Sequence, residues 1–394
     1  MLTYIKNCKK QKVPRNIQLT CHYLKDNNLI AVPFNKGIGI CIMPVEVYQN
    51  KINDIINLPQ FEKVEPTRKN AKHPLLKEEE RILESLKDLN KRKQISDKLL
   101  EDLRPTGSQP ARLYGTAKVH KANVPLRPVL SMPGSCYHKI GKQIADWLSV
   151  VTECGINTSS KSISSQLKNI TLEPDEVIVS FDICSLYTNV PTEDAIKHCA
   201  KLLYSGRYPK PPVRKKTFFE LAKLCNCNVI MLTHKGYYKQ KDELAIGSPP
   251  APYLANGWLS QYDPKIKGDA KIYERYMDDI LRNIKSNAAD QKLNEINKLN
   301  PTYLKFTIEL ETQNSIPYLD MKIIRSQCKL LSTWYSKPTD TGLTMNYHAL
   351  ASIRYKKNIV SNLIHRIFNA CSSWENIHKS LTKAKSILQR CILR

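Results

Sequence analysis

The sequence predicts an α+β protein in which helices pack against an antiparallel sheet. Between about residues 174 and 325, short apolar runs such as EVIVSFDI and IPYLDMKII alternate with helix-compatible segments. The first of these has the length of one buried strand rather than of a helix. Acidic residues stand where these runs stop, which is where turns and strand ends belong.

The elements follow in order. Residues 1–110 hold a short apolar segment, LIAVPFNKGIGICIMP, and then a charged stretch over 75–103. There Ile82, Leu83, Leu86 and Leu89 recur near a 3.6-residue period while KEEER and NKRK cover the other face, so the spacing predicts one amphipathic helix. Beyond Arg104-Pro105-Thr106-Gly107 the text becomes ARLYGTAKVHKANVPLRPVLSMPGS, and prolines between short β-compatible pieces predict strands and turns over 111–173. The sheet region runs over 174–330. Residues 331–394 carry ten Lys or Arg against Asp340 and Glu375 alone, and Ile359, Val360, Leu363, Ile364, Ile367 and Phe368 step at helical spacing. A basic helical module is therefore expected at 331–394.

Composition narrows the function classes. A length of 394 residues with 41% hydrophobic content supports about two to three domains with a sizeable core. Sixty-one Lys and Arg against 36 Asp and Glu leave a net charge of +25, which calls for a polyanionic partner, nucleic acid first. No stretch has the apolar length of a membrane span, and the N-terminal MLTYIKNCKKQKVPR lacks an apolar signal core, so membrane insertion and secretion are not expected. The twelve cysteines run from Cys8 to Cys391 without a CxxC pair, which suits reduced intracellular thiols. Cys225 and Cys227 lack the further His or Cys that a zinc site needs.

Three segments carry chemistry. In VIVSFDICSLYTNVP a buried strand ends on Asp182, with Tyr187 five positions on; the acid suits a metal ligand facing a cleft, or a cap of the next helix. In KIYERYMDDILRNI, Asp278 and Asp279 interrupt an apolar pattern at a turn between strand-like runs. Two adjacent acids there are either a solvated turn or a pair whose repulsion divalent cations neutralise. Three carboxylates from two strands would supply the hard oxygen ligands of a two-metal phosphoryl-transfer site. In AIGSPPAPYLANGWL, Gly247-Ser248-Pro249 precedes a helical run, which reads as a close backbone approach to a phosphate or template, or as a plain helix start.

FDICSLYTNVP, GSPPAP and YMDD, in that order, resemble motifs A, B and C of a reverse transcriptase palm. The text around them is similar to Penelope-like retroelement reverse transcriptases. LYGTAKVHK with PLRPVLS resembles that family's fingers, and NKGIGICIMPVEVYQNKI its N-terminal segment. LKFTIELE, IPYLDMKIIR and TWYSKPTDTGLTMNYHA resemble its later palm motif, primer grip and thumb start, so the likeness spans nearly the whole chain.

The resemblance implies a right-hand polymerase with an N-terminal region and fingers start (1–110), fingers (111–173), a palm with an antiparallel sheet (174–330) and a helical thumb (331–394). It implies RNA-directed DNA polymerase activity with Asp182, Asp278 and Asp279 as catalytic metal ligands for Mg²⁺, or Mn²⁺ in its place. Tyr187 would lie beneath the incoming sugar and exclude a 2′-hydroxyl, Arg127 and Lys118 would reach the triphosphate, and Gly247, Ser248 and Pro249 would lie against template and nucleotide. Lys36 is a further candidate for a phosphate, and Lys305 or Lys298 for protonating the leaving pyrophosphate. Partners would be an RNA template, a DNA primer and deoxynucleotides, with no membrane and no predictable protein partner, in the nucleus. Departures are Asn35 where the family has Asp, Ala117 where it has Pro, and Ile246 and Ala251 beside the Gly-Ser-Pro; none removes a metal ligand. Many members also carry a GIY-YIG endonuclease, which is not expected in this sequence, so the expectation is a truncated copy, a fragment of a longer gene, or a variant that uses existing DNA ends. The contrasting readings are a relic that binds nucleic acid without copying it and a metal-dependent nuclease, which lacks a His or Lys near the acids.

Overall fold

The structure is a computed structural model that describes residues 15–36, 39–64, 73–119, 121–155, 159–241, 243–337, 340, 342, 344–349 and 351–392. Cys8 and the N-terminal basic cluster, Gly37 and Ile38, His120, and residues 338, 339, 341, 343 and 350 of the thumb-like stretch lie outside the described residues. The chain forms two compact units, Met1–Leu58 with Tyr114–Pro128 and Pro59–Leu113 with Val129–Arg394.

The first unit opens with α1 (Arg15–Asp26), the antiparallel hairpin β1 (Leu29–Pro33) and β2 (Ile40–Pro44), and α2 (Val45–Ile56). Val32, Met43, Ile52 and Ile56 are its buried apolar residues from these elements. The Gly115 N–H donates to the Tyr48 hydroxyl at 2.9 Å, and a Cβ at Gly115 would stand 2.6 Å from Leu126 Cδ1, so only glycine lets these segments close.

The second unit begins with β3 (Phe61–Lys63), α3 (Pro74–Lys91) and α4 (Asp97–Leu103). The expected single helix over 75–103 is thus two helices. Lys93 sits at φ 54°, and the Ser96 hydroxyl accepts from the Leu99 N–H at 3.2 Å to start α4. A left-handed residue followed by a serine cap ends one helix and begins another without breaking the apolar period.

Next come β4 (Ala111–Ala117), β5 (Leu126–Ser131), α5 (His138–Leu148), α6 (Ser160–Leu167) and β6 (Glu176–Ile183). They are followed by α7 (Leu186–Asn189), α8 (Thr192–Leu203), α9 (Lys215–Asn226), β7 (Val229–Thr233), β8 (Gly236–Gln240) and α10 (Ala251–Leu259). Then stand α11 (Asp263–Lys267), β9 (Tyr273–Tyr276), β10 (Asp279–Lys285), α12 (Ala289–Asn297) and β11 (Phe306–Leu310). The order closes with β12 (Ser315–Tyr318), β13 (Met321–Ser326), β14 (Lys329–Trp334), α13 (Ile353–Ala370) and α14 (Trp374–Ile392).

The central sheet is antiparallel, in the order β11-β6-β10-β9. Its middle strand β6 buries Ile178, Val179, Phe181 and Ile183, as a strand covered on both faces must. Helix α10 packs beside α8 and is buried from Leu254 through Leu259, so its apolar composition has no exposed face to explain. A second antiparallel sheet, β12-β13-β14, shares one core with α6, α13 and α14 through Ile163, Ile316, Tyr318, Ile323, Trp334, Ile367 and Ile387. The stretch 331–394 is therefore anchored by a strand, β14, which its basic composition hides; the two long helices follow. In the second unit β3, β8, β7 and the first residues of β4 form a further sheet, with β4 and β7 parallel at Ala111↔Met231 and Arg112↔Leu232. Among the described residues no helix is long and apolar enough to cross a membrane.

Candidate active site

Strand register brings the sequence-distant acids together. Asp279 pairs with Asp182 across β10 and β6, and Thr307 pairs with Asp182 from β11 on the other side. Directly opposed residues share a face of the sheet with Cβ atoms about 4.5–5.5 Å apart. Asp182, Asp279 and Thr307 therefore form one row. Asp182 is exposed although Phe181 and Ile183 beside it are buried. Asp278 lies in the two-residue turn between β9 and β10, and its carbonyl accepts from the Ile183 N–H at 3.1 Å, which ties the turn to the end of β6.

These carboxylates fit a hard divalent cation, with one qualification from geometry. Among the described residues no three His, Cys, Asp or Glu side chains form a ready-made metal cage. Mg²⁺ does not require one, since it characteristically takes one or two carboxylates and completes its octahedron with water and substrate phosphates. Thr307 escaped sequence reading because a threonine in a strand is ordinary; only the register puts it beside Asp182.

The turn is strained and braced. Met277 stands at φ 56°, a left-handed conformation that costs a non-glycine residue about 1–2 kcal/mol. Such a residue persists where its surroundings over-determine it. Behind it, Arg275 grips Asp263 through Nε–Oδ1 and Nη2–Oδ2 contacts, both 2.8 Å, donates to Asn256 Oδ1 at 2.9 Å, and reaches the Met277 carbonyl at 3.4 Å. Burial opposes the Arg275 charge, but the Asp263 hydrogen bond and charge outweigh it and raise the pKa. The Tyr273 hydroxyl adds a 2.6 Å hydrogen bond to Asp263 Oδ1. A bidentate, half-buried pair of this kind gives geometric definition as well as energy.

Tyr187 sits half-buried on the single turn α7, straight after β6, with Ser185 at φ 54° between them. Its carbonyl accepts from the Leu244 N–H at 3.1 Å, which attaches the segment before Gly247 to this turn. Gly247 has φ 111°, and a Cβ there would stand 2.1 Å from the Leu130 carbonyl oxygen; the Leu130 N–H in turn donates to the Ile246 carbonyl at 2.7 Å. Ser248 is 3% exposed and its hydroxyl donates to Asn226 Oδ1 at 3.2 Å, so it holds the loop from within. Pro249, half-buried, leads into α10. Lys305 is exposed next to β11, its carbonyl accepting from the Cys184 N–H at 2.8 Å, whereas Lys298 caps the far end of α12. Of the two lysines, Lys305 is the one two residues from the Asp182–Thr307 rung.

In the first unit, Lys118 is half-buried and its pKa is lowered by burial, then by the charges of Lys121, Arg127 and Lys36. The fold thus gathers Lys36, Lys118 and Arg127 and adds Lys121, which motif reading missed. Four cations that repel one another suit a polyphosphate. A lysine with a lowered folded-state pKa binds its proton less tightly than in the unfolded chain, so at neutral pH its charge works against folding, and the penalty fades as pH rises through the folded pKa. Lys118→Gln is accordingly expected to raise the melting temperature at pH 7 while weakening the binding of inorganic triphosphate. Calorimetry on the same two proteins measures both.

The described cysteines are all free thiols. The close pair in space is Cys154 and Cys199, with Sγ atoms 3.7 Å apart in the core, not the sequence neighbours Cys225 and Cys227. No known family and no curated protein matches this chain. Solved structures do. A telomerase from Candida albicans, in complex with a TWJ fragment of telomeric RNA, superposes with a TM-score of 0.53 at 12% identity, covering 97% of this chain and 69% of that one. The Sicinivirus 3Dpol RNA-dependent RNA polymerase has a TM-score of 0.47 at 9% identity, covering 97% and 82%. An apo telomerase from Candida tropicalis has a TM-score of 0.33 at 14% identity, covering 96% and 62%. The Candida albicans likeness extends over nearly all of this chain, which therefore has the α+β fold, with helices on antiparallel sheets, of a telomerase.

Proposed function

We propose that this protein is an RNA-directed DNA polymerase of the Penelope-like kind, extending a primer 3′-hydroxyl with deoxynucleotides. The observation that carries the reading is the rung between Asp182 and Asp279, with Asp278 in the adjoining turn, on a polymerase-like fold. Asp182, Asp278 and Asp279 would hold Mg²⁺ or Mn²⁺. Such ions, when bound, activate the attacking oxygen and stabilise charge on the leaving one.

The remaining work is positioning. The carboxylates at the ends of β6 and β10 are held by backbone pairing on rigid strands, so little reorganisation precedes reaction. Tyr187 would sit against the sugar and select deoxynucleotides, and the loop at Gly247 and Pro249 would lie against template and nucleotide, with Ser248, expected there from the sequence, instead buried and holding the loop from within. Lys118 and Arg127, with Lys36 and Lys121, would take phosphate oxygens. The net charge of +25 supports an RNA template and a DNA primer as partners, as does the telomeric RNA fragment bound by the Candida albicans telomerase, and the nucleus would follow from the resemblance alone.

The test is primer extension on an RNA template with deoxynucleotides, with and without Mg²⁺, at two salt concentrations. Metal-dependent products longer than the primer support the reading. Salt-sensitive binding without extension would make the chain a nucleic-acid-binding relic, and products shorter than the primer would make it a nuclease.

A further inference from the structure

The strained turn of Tyr276, Met277, Asp278 and Asp279 is closed by a side chain from a different sheet. Tyr318 ends β12 and is 2% exposed. Its hydroxyl lies 3.1 Å from the Glu274 carbonyl and 3.2 Å from the Asp279 carbonyl. Tyr276 and Asp279 are the last pair of the β9–β10 ladder before the turn. One hydroxyl thus reaches the Asp279 carbonyl on that rung and the Glu274 carbonyl two residues before Tyr276 on β9.

The phenol is a dependable donor. A phenol ordinarily titrates at about 10, so the proton stays on the oxygen across the physiological range. The ring is fixed as well, because Tyr318 belongs to the core that joins β12, β13 and β14 to α6, α13 and α14. A hydroxyl on a ring immobilised by packing holds its partners more closely than one on a mobile side chain.

We propose that Tyr318 is a positioning residue: its hydroxyl sets the Tyr276–Asp279 rung so that Asp278 and Asp279 stand in one arrangement beside Asp182 before a cation arrives. Its effect on catalysis rests on the polymerase reading above; its effect on the turn does not. Loss of the hydroxyl frees Met277 to relax toward an unstrained conformation, and Asp278 moves with it. Binding of divalent cations then has to restore the geometry, which lowers apparent affinity.

The experiment uses the full chain and Tyr318→Phe, which removes one oxygen and preserves the ring. Hydrogen exchange followed by mass spectrometry, without nucleic acid, reads the turn directly. Faster exchange of the amides over 274–280, with β13 and β14 unchanged, is the expected result. In primer extension the Mg²⁺ concentration for half-maximal rate should rise about 3–10-fold, while the rate at saturating Mg²⁺ changes less. Unchanged exchange over 274–280, or faster exchange spread evenly over the chain, would overturn the proposal. If the wild-type chain does not extend primers, the polymerase reading fails, and the exchange data still decide whether Tyr318 holds the turn.

Discussion

Asp278→Asn should reduce primer extension by about 10³-fold or more while leaving template–primer binding intact. The substitution keeps the shape of the side chain and removes its charge, so the turn folds as before. On the proposed reading, what would be lost is one anionic oxygen ligand. Stabilisation of transition-state charge by a bound cation is worth several kcal/mol, and each 1.36 kcal/mol is tenfold in rate. Binding, by contrast, draws on the net charge of +25 and is governed by counterion release, which one substitution in a turn barely alters. Single-turnover extension with a labelled primer, alongside a binding titration at two salt concentrations, separates the two effects. Extension by the variant within tenfold of wild type would remove Asp278 from the ligand set.

Gly247→Ala should destabilise the protein by about 2–4 kcal/mol, combining a left-handed backbone that alanine tolerates poorly with a steric collision. The new Cβ would stand 2.1 Å from the Leu130 carbonyl oxygen, and that atom belongs to backbone already tied to the loop by the Leu130 N–H to Ile246 bond. Neither side can yield without opening the other. This is a large share of the roughly 5–15 kcal/mol that holds a folded chain together. Urea unfolding monitored by circular dichroism measures it. Ser248→Ala, which removes only the hydrogen bond to Asn226, should cost about 1 kcal/mol and serves as the comparison.

Much of the site could be read from local text. Asp182 stood out because a charge closes an apolar run, and Asp278 with Asp279 because two acids break an alternation. Gly247 announced a close backbone approach, which the fold makes to the Leu130 carbonyl. The supports did not announce themselves. Arg275 reads as one more cation in a basic chain until Asp263, twelve residues earlier, is seen to grip it from α11. Tyr318 reads as one more apolar strand residue in IPYLD until its hydroxyl is found on the hairpin. Lys121 joins Lys36, Lys118 and Arg127 only because the chain folds back between β4 and β5.

The same division holds for the fold. Short apolar runs and a 3.6-residue period determined by themselves that strands and helices alternate, and therefore that the protein is α+β, because run length and period follow from the backbone geometry of each element alone. They did not show the break between α3 and α4 or the strand opening 331–394, since a cap or a short strand leaves the apolar period nearly untouched. Which strand pairs with which, and in what register, was decided by tertiary structure. A shift of one residue between β6 and β10 would turn Asp182 and Asp279 to opposite faces, and it is the burial of Val179, Phe181, Ile280 and Leu281 that holds the register in which the two carboxylates meet.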